Sequence, residues 1–144
     1  TLLSDCRPLH EVSAAALAAG GVRMLRDPTR GGVATTLNEF VEGLPLGIEL
    51  DEEAVPVDEP VDAACALLGL DPLYAACEGR LLAVCAPERA GAVLAALRAL
   101  PGGEGAARIG QVTAARPGQV VLRNAFGGSR ILGKLTGAQL PRIC

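Results

Sequence analysis

Val22-Arg23-Met24-Leu25-Arg26-Asp27-Pro28-Thr29-Arg30-Gly31-Gly32-Val33 passes from an apolar run through turn-forming residues and back to apolar ones. Val22 to Leu25 is short and apolar, which predicts a strand. Arg26 to Gly32 is too rich in Asp, Pro, Thr and Gly to be regular structure. From Val33 the apolar residues fall at Val33, Leu37, Phe40, Val41 and Leu44, the spacing of one helix face, and Pro45 closes that helix. Strand, glycine-rich turn and amphipathic helix in this order indicate a layered α/β arrangement.

The same signals extend in both directions. Upstream, His10 to Ala19 is Ala-rich and stops at Gly20-Gly21, as a helix does. Downstream, Leu46 to Leu50 reads as a strand and Asp51-Glu52-Glu53 as a short helical turn. Val61 to Leu68 reads as a helix stopped by Gly69, and Asp71-Pro72 as a further turn. Arg80 to Ala86 is a continuous apolar strand, and a helix runs from Pro87 and Glu88 through Leu100. Arg108–Val112, Gln119–Arg123 and Arg130–Leu132 complete the strands, the last two as a hairpin around Phe126-Gly127-Gly128. Helices and strands mix without a strict βαβ repeat, which predicts an α/β or α+β fold with one mixed sheet covered by helices. Residues 1–135 read as a single domain, and residues 136–144, without periodic pattern, as a tail.

Composition narrows the function. The 144 residues are half apolar, with two Phe, one Tyr and no Trp, so the core is aliphatic and stacking platforms for bases or sugars are lacking. Thirteen basic against sixteen acidic residues leave a net charge of −3 with no basic run, which argues against a nucleic-acid binder. No apolar stretch approaches the ~18 residues of a membrane span. The apolar start lacks a basic leader and a cleavage site, so it does not read as a signal peptide. The chain starts at Thr1 and reads as part of something longer. Five cysteines, at 6, 65, 77, 85 and 144, contain no C-x-x-C pair, and His10 is the one histidine, so no metal site is expected. Cys65 and Cys85 sit among Ala, Leu and Val as small hydrophobes. An odd count without a framework suits the reducing cytoplasm.

Three features could carry chemistry. In the Arg26–Gly32 loop, Gly31 and Gly32 let backbone amides approach a ligand, and the start of the following helix offers unpaired N–H groups. Arg26 and Arg30 add charge, and phosphate is the natural ligand. The plainer reading is a strand-to-helix turn in which Asp27 and Thr29 satisfy backbone donors. Glu78, in Cys77-Glu78-Gly79 before a buried strand, is a general-base candidate, with a solvated turn carboxylate as the alternative. Cys144 ends the chain; nine residues of tail, 136–144, can extend roughly 30 Å, far enough to carry a thiol to another site. A cysteine that merely happens to be last is the alternative.

The end Leu140-Pro141-Arg142-Ile143-Cys144 resembles the Pro-Arg-Ile-Cys terminus of the HypE family of hydrogenase-maturation carbamoyl dehydratases. So do Met24 to Ala34 with Asn38-Glu39-Phe40, Gly47-Ile48-Glu49-Leu50, Leu68-Gly69-Leu70-Asp71-Pro72-Leu73 and Ile109-Gly110-Gln111-Val112, in the same order along nearly the whole chain. Where the family usually shows Asn-Glu-Gly-Lys, this chain has Cys77-Glu78-Gly79-Arg80; Arg80 keeps the charge but not the geometry.

The resemblance implies a fold like the carboxy-terminal domain of the aminoimidazole ribonucleotide synthetase superfamily. It implies that a partner carbamoyltransferase loads Cys144, and that ATP with magnesium activates the carboxamide oxygen. Glu78 then takes a proton, and the resulting thiocyanate supplies cyanide to iron on a scaffold complex. The Arg26, Asp27, Thr29, Arg30, Gly31 and Gly32 loop would face phosphate. The family's amino-terminal domain, which supplies most nucleotide and magnesium contacts, lies outside this chain, and the complete protein is expected to be a homodimer. A partner-docking domain without catalysis, or another ATP-using enzyme of the superfamily, would fit the composition as well; the terminal cysteine has no purpose in the latter.

Overall fold

A computed structural model describes residues 3–137. The helices are α1 (His10–Ala19), α2 (Gly32–Val41), α3 (Glu59–Leu68) and α4 (Ala90–Arg98). The strands are β1 (Val22–Arg26), β2 (Gly47–Asp51), β3 (Leu82–Cys85), β4 (Gly110–Thr113), β5 (Val120–Arg123) and β6 (Ser129–Ile131). Cys144 and the rest of residues 138–144 lie outside the described residues.

The expected class holds, but the strands form two sheets where one was expected. β1 and β3 pair antiparallel, and a separate mixed sheet has the order β4-β2-β5-β6. β2 is occupied on both sides, antiparallel by β4 and parallel by β5, and β4 and β6 form the edges of that sheet while β1 pairs with β3 apart from it. β5 and β6 form the expected antiparallel pair, with Leu122 opposite Arg130.

Side-chain alternation sets the core. In β2, Ile48 and Leu50 point inward, and their parallel partners Val120 and Leu122 do the same from β5. The helical face predicted for α2 supplies Leu37, Phe40 and Val41 against them, and Leu73 and Leu132 close the cluster. α1 packs on α4, where Ala16 and Val93 are buried.

Several boundaries move. α2 ends at Val41 rather than Leu44, because Gly43 turns the chain at φ +71° before Pro45 is reached. α3 begins earlier, at Glu59, with Pro60 in its first turn, and ends as expected on Gly69, whose left-handed conformation lets the Leu70 N–H donate to the Cys65 carbonyl. The predicted helix after Ala86 opens with a 3-10 turn over Pro87–Arg89. Cys65 is buried as expected, whereas Cys85 is only partly so. Among the described residues no helix is long and apolar enough to cross a membrane.

Leu50 is 2% exposed and its Leu122 neighbour equally so, which leaves no slack for a smaller side chain. Leu50→Ala is expected to cost about 2–5 kcal/mol, measured by denaturant unfolding of the domain.

Candidate functional site

The loop of interest joins β1 to α2. Arg26 belongs to the strand rather than the loop: it pairs with Leu82 of β3, and its guanidinium forms an ion pair with Glu39 of α2. Pro28 is fully buried, and its carbonyl accepts the Cys77 N–H at 2.9 Å. That single bond ties the loop to the turn that carries Glu78. The turn closes when the Arg80 N–H donates to the Cys77 carbonyl at 3.0 Å. Arg30 is exposed.

α2 starts without a side-chain cap. Gly31 holds the capping position in a left-handed conformation, φ +78°, and Thr29 contributes its backbone carbonyl to the Gly32 N–H rather than its hydroxyl. Packing alone demands both glycines. A Cβ on Gly32 would lie 2.5 Å from the Ala75 carbonyl oxygen and 2.6 Å from that of Leu73. On Gly31 it would lie 2.1 Å from the Thr35 hydroxyl oxygen. Both also have positive φ, where L side chains are strained.

Arg26, Asp27 and Glu78 come together on the wall of an open depression of about 480 Å³, which Arg7 and Leu81 also line. Glu78 is exposed on its turn, so the carboxylate is available but not sunk into the apolar core. Thr29, Arg30, Gly31 and Gly32 do not line this depression.

No motif marks the segment before α1. It crosses the Glu78 turn so closely that a Cβ on Gly79 would lie 1.5 Å from the Asp5 carbonyl oxygen. Arg7 fixes the crossing, donating from Nε to the Gly79 carbonyl (3.2 Å) and from Nη1 to that of Gly102 (3.1 Å). A glycine just ahead of an apolar strand signals such an approach, though not what approaches. Asp5 lies 3.8 Å from Arg80, and its buried Oδ2 accepts no hydrogen bond. Cys77 stands beside it, and a thiol is only a weak donor where the family pattern has an amide.

Burial, with the Asp5 carboxylate adding to it against the opposing Arg80 guanidinium, pushes the Cys77 thiol up from 9.0 to about 11. Cys77 is therefore protonated at neutral pH and unreactive, while Cys6 is exposed on the depression's rim. Alkylation at neutral pH is expected to label Cys6 and spare Cys77, read by peptide mass. The folded state keeps the Cys77 proton where the unfolded state has lost it, so this contribution to stability is full below about 9 and lost as the pH rises towards about 11. Unfolding curves of wild type and Cys77→Ala should converge or cross over that window.

Comparison with known proteins bears on what such a site serves. The sequence matches the family described as AIR synthase related protein, C-terminal domain, over residues 4–123. Carbamoyl dehydratase HypE of Bradyrhizobium diazoefficiens is 54% identical over 99% of this chain, which spans 42% of that protein. The crystal structure of hydrogenase maturation protein HypE in complex with ATP matches 98% of this chain, with TM-score 0.88 and 51% identity, over 44% of its own length. The crystal structure of a HypE-HypF complex matches 93% of this chain, with TM-score 0.88 and 34% identity, again over 44% of its own length. The family match and these superpositions agree along the described fold, and the chain belongs to the AIR synthase related proteins, as their C-terminal domain.

Proposed function

We propose that this domain is the carboxy-terminal part of an ATP-dependent carbamoyl dehydratase that makes the cyanide ligands of a [NiFe]-hydrogenase iron. The observation that carries this reading is the 54% identity to a carbamoyl dehydratase over 99% of the chain, whose own end is Pro141-Arg142-Ile143-Cys144. Supporting it, the fold gathers Glu78, Asp27 and Arg26 on one wall.

The chemistry is a dehydration on sulfur. A partner carbamoyltransferase leaves a carboxamide on Cys144. Its oxygen, a poor leaving group, takes the γ-phosphoryl group of ATP, ADP departs, and the nitrogen gives up one proton. The second nitrogen proton goes to a base, for which Glu78 is the candidate, the C–O bond breaks, and phosphate leaves a thiocyanate. An electron-rich iron on the scaffold complex supplies the pair for the new iron–carbon bond, and the S–C pair returns to sulfur as thiolate. The reaction belongs to the cytoplasm, where thiols stay reduced.

This domain would form one wall of the nucleotide site rather than the whole of it. Arg7 is engaged with two carbonyls and Arg26 with Glu39, so neither is a free phosphate clamp. Asp27 and Glu78 would repel a triphosphate, and magnesium, held mostly by the amino-terminal part, would offset that charge at the phosphate oxygens. The larger share of nucleotide and magnesium contacts falls to the amino-terminal part, and the complete protein is a homodimer. Arg30 is the exposed cation of the loop, though it does not line the Glu78 depression.

Two expectations follow for the complete protein. Glu78→Gln keeps the side chain's shape but not its basicity; Cys144 should still accept a carbamoyl group, and its conversion to thiocyanate should slow by about 10²–10⁴-fold, followed by peptide mass. Unchanged conversion would remove Glu78 from the mechanism. Cys144→Ala should abolish cyanide delivery to the scaffold iron while shifting stability by less than about 0.5 kcal/mol. Retained delivery would overturn the proposed function. The isolated domain, by contrast, should not turn over ATP.

A further inference from the structure

The stretch after β6 is held to α2, to the residue that follows it and to the Pro72–Tyr74 turn by successive contacts. The Leu132 carbonyl accepts from Asn38 Nδ2 at 2.7 Å, and the Gly133 carbonyl from the Tyr74 hydroxyl at 3.1 Å. Lys134 pairs with Glu42 at 2.9 Å, and the Leu135 N–H donates to the Thr35 hydroxyl at 3.1 Å. Leu132 itself is fully buried. Of these contacts, the one at Thr35 lies nearest the start of α2. There a Cβ on Gly31 would meet both Thr35 and the Leu135 side chain, the latter at 3.2 Å. The last fastened residue among those described thus sits beside the loop whose other end, Asp27, lines the Glu78 depression.

We propose that residues 132–135 form a root clamp that fixes where and in which direction the carrier tail leaves the domain, with Thr35, Asn38 and Tyr74 as its positioning residues. This rests on the reading of Cys144 as carrier. Asp27 and Gly31 are four residues apart, no more than about 14 Å, and the nine residues beyond Leu135 reach roughly 30 Å. A tail rooted here can therefore bring its terminal thiol to the depression. Magnitudes decide what the clamp contributes. Releasing it back to Leu132 lengthens the tether to Cys144 from nine residues to twelve, which would dilute the thiol only about 1.5-fold. Direction is the larger effect, because a displaced reacting group loses rate steeply; the expected loss is about 10-fold or more.

The experiment uses the complete protein with its carbamoyltransferase partner and ATP–magnesium, and follows Cys144 adducts by peptide mass in a single turnover. Thr35→Val removes the acceptor at nearly constant volume. Leu135→Pro removes the donor without touching α2. Each should load carbamoyl at the wild-type rate, because that step uses an external enzyme, yet convert it to thiocyanate about 10-fold more slowly, and Thr35→Ser should restore conversion. Conversion within about twofold of wild type in both variants, or loading and conversion falling together, would overturn the clamp. Failure of wild type to carry any adduct on Cys144 would instead overturn the carrier reading and the clamp with it.

Discussion

Two missing Cβ atoms at the start of α2 govern the arrangement around the site. With glycine at 32, the carbonyls of Leu73 and Ala75 press against the first turn of α2 at distances no side chain would allow. That approach places Tyr74 where its hydroxyl reaches the Gly133 carbonyl, and it carries the following turn to the Pro28 carbonyl. With glycine at 31, Thr35 can lie against the loop and still accept the Leu135 N–H. The Glu78 turn, the β1–α2 loop and the segment after β6 are distant in sequence, and this close packing is what brings them together. Local backbone conformation here fixes non-local geometry.

Charge follows a different logic from the one a phosphate-binding loop would suggest. The arginines near the depression are largely spent inside the domain: Arg26 on Glu39, Arg7 on two backbone carbonyls, Arg80 between Asp5 and Asp58. Partly exposed pairs of this kind contribute little to stability, at most about 1 kcal/mol each. Their consequence is orientation, since each joins segments far apart in the chain. A domain with net charge −3 that neutralises its own cations in this way is not by itself a sink for a triphosphate. On the proposed reading, the attraction comes from magnesium and from the remainder of the protein.

The sequence made the strand–turn–helix unit legible because its signals are local: an apolar run, turn-forming residues and a 3.6-residue period. Of the α2 face predicted from Val33, Leu37, Phe40, Val41 and Leu44, the middle three are buried, Val33 is partly so, and Leu44, past the end of the helix, is exposed. Separation into two sheets was not legible, since it depends on which strands pair, a matter of positions as far apart as Ile48 and Val120. The stop of α2 was placed at Pro45, the stronger punctuation, whereas Gly43 turns the chain first. Arg7 and Asp5 carried no motif; their roles arise from contact with Gly79, 72 residues on from Arg7. Glu78 was singled out from its neighbours alone, and the fold sets it with Asp27 and Arg26. The glycines at 31 and 32 were weighed as ligand approaches, and their geometry shows a packing demand that is sufficient in itself.

A carrier thiol has requirements that the folded part of this domain does not meet. Cys65 is buried, and Cys77 is held protonated by burial and by Asp5. Cys6 is exposed on the depression's rim, but Arg7 next to it is bonded to Gly79 and Gly102, so its backbone is pinned to one place. On the proposed reading, the carrier sulfur has to meet a carbamoyl donor, an activated phosphate and an iron, and so must not be pinned. A thiol carried on a tether escapes that constraint, but an unrooted tether would let it search too large a volume. The proposed clamp at residues 132–135 would reconcile the two demands: nine residues beyond it could still span roughly 30 Å, and the origin of the search would stay beside the loop that borders Glu78.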